Sequence, residues 1–289
     1  MNPPIIVIVG ETASGKSILA LDLAKQFNGE IINADSWAVY RDFDIGTAKP
    51  SLADRNRVEH HLIDIADPNK GFSAAEFKRL ALKAIDDIDG KGKIPIIVGG
   101  TGLYIDSLIY DYSFLPAPSK KDRQGYENLS LDKLIKMCNQ LNYNTTNLDL
   151  NNKRRVIRLL ENKGLRPSSR PLRENTLVLG VKVNPDRLEI NIEQRTLKMM
   201  TDGLKHEVEL LVSKYGWDIE PMKGIGYREF KDYFADKIDE QELIKRINKN
   251  TLKLVKKQRT WFKRNKSIQW YSNRDQFVDS VTTFMNKFN

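Results

Sequence analysis

Short apolar runs and amphipathic segments alternate along the first hundred residues. A β-branched run at 5–9 predicts a buried strand, and apolar residues at four-residue spacing between 18 and 27 predict a helix. Similar runs at 30–35 and 95–98 predict further strands, with a helix at 77–88 between them. Ser73 as the N-cap and Glu76 three residues on predict a capping box at the start of this helix. Strands that alternate with helices predict an α/β fold, in which a parallel sheet carries helices on both faces.

The pattern changes after residue 112. Residues 113–172 are polar and basic, with helical periodicity at 131–141 and 153–160, so we interpret them as a small inserted helical unit. An apolar run at 177–183 predicts a strand that rejoins the sheet.

From residue 187 to the end the pattern predicts helices. The apolar positions of its first part are Leu188, Ile192, Leu197, Leu204, Val208 and Leu211. The expected domains are therefore a core formed by 1–112 and 173–289 and an inserted unit at 113–172.

Composition narrows the class of protein. The chain has one cysteine and three histidines in 289 residues, which excludes an intrachain disulfide and a structural zinc finger. No apolar stretch is long enough to span a membrane, and the amino-terminal residues lack the features of a signal peptide. We therefore expect a cytoplasmic protein with no membrane partner.

The segment between the first strand and the first helix fits the phosphate-binding pattern G-x-x-x-x-G-K-[ST]. Its candidate pyrophosphate-binding residues are Gly10, Glu11, Thr12, Ala13, Ser14, Gly15, Lys16 and Ser17. Backbone N–H groups of such a loop surround phosphate oxygens, the lysine adds a full charge, and Ser17 is the candidate ligand for Mg²⁺. The loop predicts a P-loop NTPase-like sheet; the alternative is a glycine-rich connector that binds nothing.

A carboxylate and a hydroxyl follow two other predicted strands. P-loop kinases and ATPases hold Mg²⁺ with an acidic residue at the end of a second apolar strand, but here the late strand ends in Gly99-Gly100-Thr101. The acid instead follows the second strand, at Asp35. Because the carboxyl ends of parallel strands share one crevice, we expect Asp35, Thr101 and the phosphate loop to meet around one ligand.

Further motifs accompany the phosphate loop. They are Asp35-Ser36, Asp44-Ile45-Gly46-Thr47-Ala48-Lys49-Pro50, His60-His61-Leu62-Ile63-Asp64-Ile65 with Asp67-Pro68, Gly99-Gly100-Thr101-Gly102-Leu103-Tyr104, Gly224-Ile225-Gly226-Tyr227-Arg228 and Lys257-Gln258-Arg259-Thr260-Trp261-Phe262. Together they resemble the tRNA dimethylallyltransferase (tRNA isopentenyltransferase) family, in its short bacterial-type form, from residue 5 to about residue 270.

The resemblance implies a prenyltransferase. Such an enzyme moves a dimethylallyl group from dimethylallyl pyrophosphate to N6 of the adenine on the 3′ side of a tRNA anticodon, giving N6-dimethylallyladenosine. It implies that Asp35 is the general base, that Thr101 binds the bridging oxygen of the leaving pyrophosphate, and that Arg228 binds the same group. Lys16 and Ser17, with Mg²⁺, would hold the rest of the pyrophosphate. From the residues alone, Asp35 could cap a helix, Thr101 could be a turn residue and Arg228 could be a surface ion-pair partner.

The net charge of +9 favours a polyanionic partner. By the resemblance, the residues that contact a tRNA anticodon stem-loop are Asp35, Ser36, Trp37, Ala38, Thr101, Arg123, Arg154, Arg155, Val156, Ile157, Arg158, Lys253, Lys256, Lys257 and Gln258. The basic residues among them form two clusters, although a run of charge is also typical of a solvated helix face. We expect the protein to act as a monomer.

Three features depart from the family pattern. Glu11 occupies a loop position where the family has proline, and Leu252 replaces an expected arginine. The inserted unit is shorter than usual, so its contact with the anticodon stem is expected to differ.

Rival functions stay open at this point. One is a P-loop kinase of a small metabolite, and another is isopentenyl transfer to free AMP, for which a basic insert has no use. A third is a non-catalytic RNA-binding protein, against which the intact Lys16, Ser17, Asp35 and Thr101 argue.

Overall fold

The computed structural model describes residues 2–115, 120–146 and 148–288, without the side chains of 120–122. Within them, six parallel strands form one sheet in the order β3-β2-β4-β1-β5-β6. The strands are β1 (Ile5–Val9), β2 (Gly29–Asn33), β3 (His60–His61), β4 (Ile94–Gly99), β5 (Thr176–Val181) and β6 (Gln269–Tyr271).

Helices connect and flank the strands. Those of the described residues are α1 (Lys16–Gln26), α2 (Leu52–Arg57), α3 (Ala74–Asp89), α4 (Gly102–Ile109), α5 (Lys120–Glu127), α6 (Leu131–Gln140), α7 (Lys153–Glu161), α8 (Pro185–Thr201), α9 (Leu204–Tyr215), α10 (Phe230–Tyr233), α11 (Glu240–Phe262) and α12 (Arg274–Met285). The predicted α/β class is confirmed. None of these helices is both long and apolar enough to cross a membrane.

The central strand β1 is buried on both faces, with all five side chains fully inaccessible. Ile6 and Ile8 pack with apolar residues of α1 and α12. Because side chains alternate along a strand, Ile5, Val7 and Val9 point to the opposite face. Burial on both faces explains why the run is continuously apolar rather than alternating.

A second apolar core lies among the carboxyl-terminal helices. It joins Val39 and Phe43, from the chain after β2, to Leu204 and Val208 of α9 and to Ile247 of α11. This core anchors the segment that carries Asp35 and the following residues, so the late helices contribute directly to the carboxyl edge of the sheet.

The chain divides into two compact units, residues 1–109 with 172–289 and residues 110–171. The smaller unit contains α5, α6 and α7 around its own core, which includes Leu134, Cys138 and Leu160. The sequence analysis expected an inserted unit at 113–172.

The capping box predicted at the start of α3 is confirmed. Ser73 accepts a hydrogen bond from the Glu76 N–H, and the Glu76 carboxylate accepts one from the Ser73 N–H. Reciprocal capping of this kind satisfies two N–H groups that have no partner inside the helix.

One expectation about the carboxyl-terminal half was wrong. The stretch after residue 187 is not helical throughout, because β6 pairs with β5 at the edge of the sheet. This strand has three residues and is largely exposed, so it lacks the apolar run that marks a buried strand. Among the apolar positions named for this stretch, Leu197 is 47% exposed, because it lies on the outer face of α8.

Candidate functional site

The phosphate loop lies between β1 and α1, as its sequence context predicts. Gly15 immediately precedes α1 with a φ of 83°, a conformation that glycine adopts without strain. Among the described residues no side chain caps this helix, so its first N–H groups are available to an anion. Ser14 Oγ is buried and has no hydrogen-bond partner within the described part of the chain. An unpaired hydroxyl inside such a loop fits a ligand that supplies oxygen atoms.

Lys16 carries the charge of the loop. Its Nζ donates a hydrogen bond to the Glu11 backbone oxygen over 3.2 Å. Burial lowers the pKa of Lys16 to about 8; Arg195 adds to this effect, while Asp35 opposes it. The lysine is therefore a cation held where its charge is not fully solvated, which favours binding of an anion.

Asp35 and Thr101 meet through the backbone between β2 and β4. Thr101 Oγ1 accepts a hydrogen bond from the Ser36 N–H over 3.0 Å and donates one to Ser36 Oγ over 3.2 Å. Asp35 Oδ1 accepts from the Trp37 N–H over 2.9 Å. Residues 36–39 form turns rather than a helix, so Asp35 is not a helix cap.

Two adjoining cavities meet at Asp35. The first is lined by Lys16, Ser17 and other residues near the phosphate loop. The second has apolar walls that include Ile192 and Met199. The residues that line both cavities are Thr12, Asp35, Thr47 and Arg195.

Arg195 of α8 is a site residue that the sequence analysis missed. It lines both cavities and makes no ion pair or hydrogen bond with any residue of the described chain. Burial lowers its pKa, and Asp35 raises it. The signal was present in the sequence, since Arg195 shares a helix face with the buried residues Ile192 and Met199. A basic side chain is seldom buried without a partner, so its place beside buried apolar residues favours a binding site for an anion.

Arg228, the arginine that the sequence analysis assigned to the pyrophosphate, lies outside the two cavities. Its Nε donates to Glu229 Oε1 over 2.9 Å. The preceding residues Gly224 and Tyr227 do line the second cavity. Arg195 rather than Arg228 lines both cavities, and contact of Arg228 with the pyrophosphate stays a prediction.

With this geometry, comparison with known proteins identifies the family. A family model described as IPP transferase matches residues 38–265. The chain belongs to this family.

Proteins named tRNA dimethylallyltransferase are similar over almost the whole chain. The one from Anoxybacillus flavithermus is 39% identical, covering 96% of this chain and 93% of the relative. Citrifermentans bemidjiense has one named tRNA dimethylallyltransferase 1 that is 40% identical, covering 95% and 94%. We therefore expect the fold of this family over almost the whole chain.

Two solved structures share the fold. The full-length tRNA isopentenylpyrophosphate transferase of Bacillus halodurans superposes with a TM-score of 0.76 at 32% identity, covering 98% of this chain and 96% of that one. A eukaryotic dimethylallyltransferase described as acting on tRNA gives 0.78 at 27% identity, covering 97% of this chain and 77% of that one.

The D-I-G-T-A-K-P motif of this IPP transferase family member builds a wall of the site. The carboxylate of Glu207, from α9, accepts hydrogen bonds from three consecutive N–H groups, those of Asp44, Ile45 and Gly46, over 2.7–3.1 Å. It also accepts one from the Tyr227 hydroxyl over 2.8 Å. The sequence analysis did not find Glu207, which has no distinguishing periodicity.

Gln258 ties α11 to two site loops. Its Oε1 accepts from the Thr12 N–H over 2.9 Å, and its Nε2 donates to the Gly100 oxygen over 3.1 Å. The side chain is therefore buried inside the protein. The predicted tRNA contact is corrected at this residue, because its amide is already used to hold the phosphate loop.

The other predicted tRNA contacts divide into exposed and buried residues. Val156, Ile157 and Ala38 are buried, so their side chains offer no surface to RNA. Those of Arg154 and Arg155 are exposed on α7. Arg123 and Arg158, in the same small unit, are partly exposed and flank Glu161. On α11, Lys253, Lys256 and Lys257 are exposed. Contact with tRNA stays a prediction for these basic residues.

A magnesium ion fits the chemistry of the phosphate loop. Ser17 lines the first cavity together with Asp35 and offers a hydroxyl oxygen. Mg²⁺ commonly takes only one or two oxygen ligands from the protein and the rest from phosphates and water, so such a site suits it. A separate group, Glu30, Glu59 and His61, could also offer ligands. There, however, Glu30 already accepts hydrogen bonds from two lysines.

Proposed function

We propose that this protein transfers the dimethylallyl group of dimethylallyl pyrophosphate to N6 of the adenine adjacent to the anticodon in tRNA. The observation that carries the proposal is the meeting of the phosphate-loop cavity with a second, apolar cavity at Asp35. Membership of the IPP transferase family supports the reaction type, and relatives named tRNA dimethylallyltransferase support the donor and acceptor.

In the proposed reaction, N6 of adenine attacks the allylic C1 of the donor. A C–N bond forms, the C–O bond to pyrophosphate breaks, and its electron pair leaves with the pyrophosphate. Asp35 accepts the proton that N6 loses. The product is N6-dimethylallyladenosine in tRNA, with free pyrophosphate as the second product.

Positive charge beside the departing pyrophosphate lowers the barrier of such a reaction, because it stabilises the negative charge that the pyrophosphate gains. We assign Lys16, Arg195 and the N–H groups of the phosphate loop to the departing pyrophosphate, because they surround one cavity. Thr101 is proposed to hold the segment beside Asp35 through Ser36. A contact of its hydroxyl with the bridging oxygen stays a prediction, since Thr101 is not among the residues that line the two cavities. Mg²⁺ held by Ser17 would neutralise further charge on the pyrophosphate.

The exposed basic residues of α7 and α11 are proposed to bind the anticodon stem-loop. Lys and Arg on a surface gain affinity for RNA by neutralising phosphates. The target base must leave its stack to reach Asp35, as other base-modifying enzymes require. Action as a cytoplasmic monomer stays a prediction.

The test is mass spectrometry of digested tRNA. Unmodified tRNA with adenine at the target position is incubated with protein, Mg²⁺ and dimethylallyl pyrophosphate. Parallel samples contain ATP in place of the donor or AMP in place of tRNA. We expect N6-dimethylallyladenosine only with tRNA and the isoprenoid donor. Consumption of ATP without modified tRNA would favour a kinase, and modified AMP would favour a free-nucleotide acceptor.

A further inference from the structure

The phosphate loop contains a buried acid. Glu11 is 6% exposed, and its backbone oxygen accepts hydrogen bonds from the Ser14 N–H and from Lys16 Nζ. A carboxylate in an anion-binding loop works against the loop, because it repels the incoming pyrophosphate. A buried charge without a partner is also strongly unfavourable.

The partner of Glu11 comes from α11. Arg259 Nε donates a hydrogen bond to Glu11 Oε1, in a pair whose arginine side chain is 47% exposed and whose acid side chain is 9% exposed. The preceding residue, Gln258, binds the Thr12 N–H. Two consecutive residues of the helix therefore hold two consecutive residues of the loop.

We propose that Arg259 is a positioning residue of the pyrophosphate site, which neutralises the Glu11 carboxylate and fixes the amino-terminal half of the phosphate loop. The loop then presents the charge of Lys16 without interference from a neighbouring acid. This inference rests on the proposed function only for the identity of the organic donor, because inorganic pyrophosphate probes the same loop.

Arg259 also lies on the helix that carries the exposed residues Lys253, Lys256 and Lys257. The alternative role for Arg259 is a direct contact with RNA, which is the simpler explanation for a half-exposed arginine on this helix. The two roles differ in one respect. If Arg259 neutralises Glu11, replacing Arg259 should weaken pyrophosphate binding only while Glu11 is charged. If Arg259 contacts RNA instead, the effect of replacing it should not depend on the charge of Glu11.

The experiment is a double-mutant cycle on the full-length chain. Arg259→Gln, Glu11→Gln and the double variant are compared with wild type for affinity to magnesium pyrophosphate, measured by calorimetry. The Michaelis constants for dimethylallyl pyrophosphate and tRNA are measured alongside. Lys266→Gln, which removes an exposed charge near the end of the same helix, is the control for the loss of net charge.

We expect Arg259→Gln to weaken pyrophosphate binding about tenfold, as an unneutralised charge near the site implies. Glu11→Gln should strengthen it about threefold by removing the repulsion. The double variant should return to the wild-type value or better, with the donor Michaelis constant following the same order. Lys266→Gln should leave pyrophosphate affinity unchanged.

Two results would overturn the proposal. One is an equal loss of pyrophosphate affinity in Arg259→Gln and in the double variant. The other is a defect confined to the Michaelis constant for tRNA. If Arg259→Gln alone does not fold, the double variant still decides, because native pyrophosphate affinity without the arginine supports the proposal and weak affinity contradicts it. Failure of the proposed function would show differently, as intact pyrophosphate binding without tRNA modification.

Discussion

The two ends of the central sheet use charge in opposite ways. At the amino end of β2, Glu30 has a side chain that is 1% exposed and accepts hydrogen bonds from Lys91, Lys93 and His61. At the carboxyl end, Lys16 and Arg195 line a cavity without forming an ion pair within the described part of the chain. One end has a buried acid with three hydrogen-bonding partners, and the other has two cations without an acidic ion-pair partner among the described residues.

The pKa values follow this difference. Burial alone would raise the pKa of Glu30, but hydrogen bonds from Lys93, Lys91 and His61 lower it to about 2. At Lys16 burial prevails and lowers the pKa to about 8. A pKa lowered by folding means that the charged form of Glu30 stabilises the fold, whereas the same direction at Lys16 means that its charged form destabilises the fold until an anion binds. The carboxyl end is therefore built to bind, and the amino end is built to hold the sheet together.

The largest effect is expected at Asp35. Replacement by asparagine keeps an oxygen that can accept the Trp37 N–H but removes the basic group. Turnover should fall by roughly 10²–10⁴, the usual contribution of general base catalysis. Single-turnover rates with saturating donor, alongside tRNA binding by filter assay, measure the two quantities separately. An equal collapse of tRNA affinity would contradict the general-base role.

Replacing Arg195 and Arg228 in separate variants shows which of the two arginines binds the pyrophosphate. Arg195→Met should weaken donor binding about 10–100-fold, the range expected for a lost hydrogen bond to a charged group. Arg228→Met should change it much less, because Arg228 is bound to Glu229 outside the two cavities. Calorimetry with magnesium pyrophosphate and donor Michaelis constants provide the measurement. The reverse order of effects would restore the role that the sequence analysis gave to Arg228.

At the opposite end of the sheet, Glu30→Gln should affect stability rather than activity. Since the pKa of Glu30 is lower in the folded chain, its contribution is complete above the unfolded value and is lost as pH falls toward about 2. The variant should lose about 2 kcal/mol at pH 7, and its difference from wild type should shrink between pH 5 and 3. Urea unfolding at several pH values checks this; a constant difference would show that charge is not the cause.

Sequence alone predicted the parts of the fold that carry strong periodicity. The buried run at 5–9 and the capping box at Ser73 are local signals, and the structure contains both. The edge strand β6 was not predicted, because Gln269, Trp270 and Tyr271 become a strand only through pairing with β5. Tertiary pairing of a short polar segment leaves no trace in local sequence.

The candidate site shows the same limit. The phosphate loop has a pattern that requires its own geometry, so Lys16 and Ser17 could be named from sequence. Arg195 and Glu207 reach the site from α8 and α9, over a distance along the chain that no local motif spans. The burial of Gln258 was equally hidden, since a glutamine among lysines has the appearance of an exposed residue.

The smallest effect near neutral pH is expected from the titration of Lys16, which should make activity fall on the alkaline side of the pH profile. Since its pKa in the free protein is about 8, the charged form is lost as pH rises through that value. kcat/KM for the donor should therefore fall above pH about 8, and the slope should approach a tenfold decrease for each pH unit. The donor itself does not cause this fall, because the last ionisation of a phosphate group has a pKa of about 6 and is nearly complete before pH about 8.

Lys16→Arg separates this lysine from other titrating groups. An arginine remains charged throughout the range, so the variant should be slower but should lose the alkaline limb up to pH about 10. If the limb persists unchanged, another group causes it, and the contrast between the two ends of the sheet then rests on Arg195 alone. If it disappears, Lys16 is the cation that burial holds ready for the pyrophosphate.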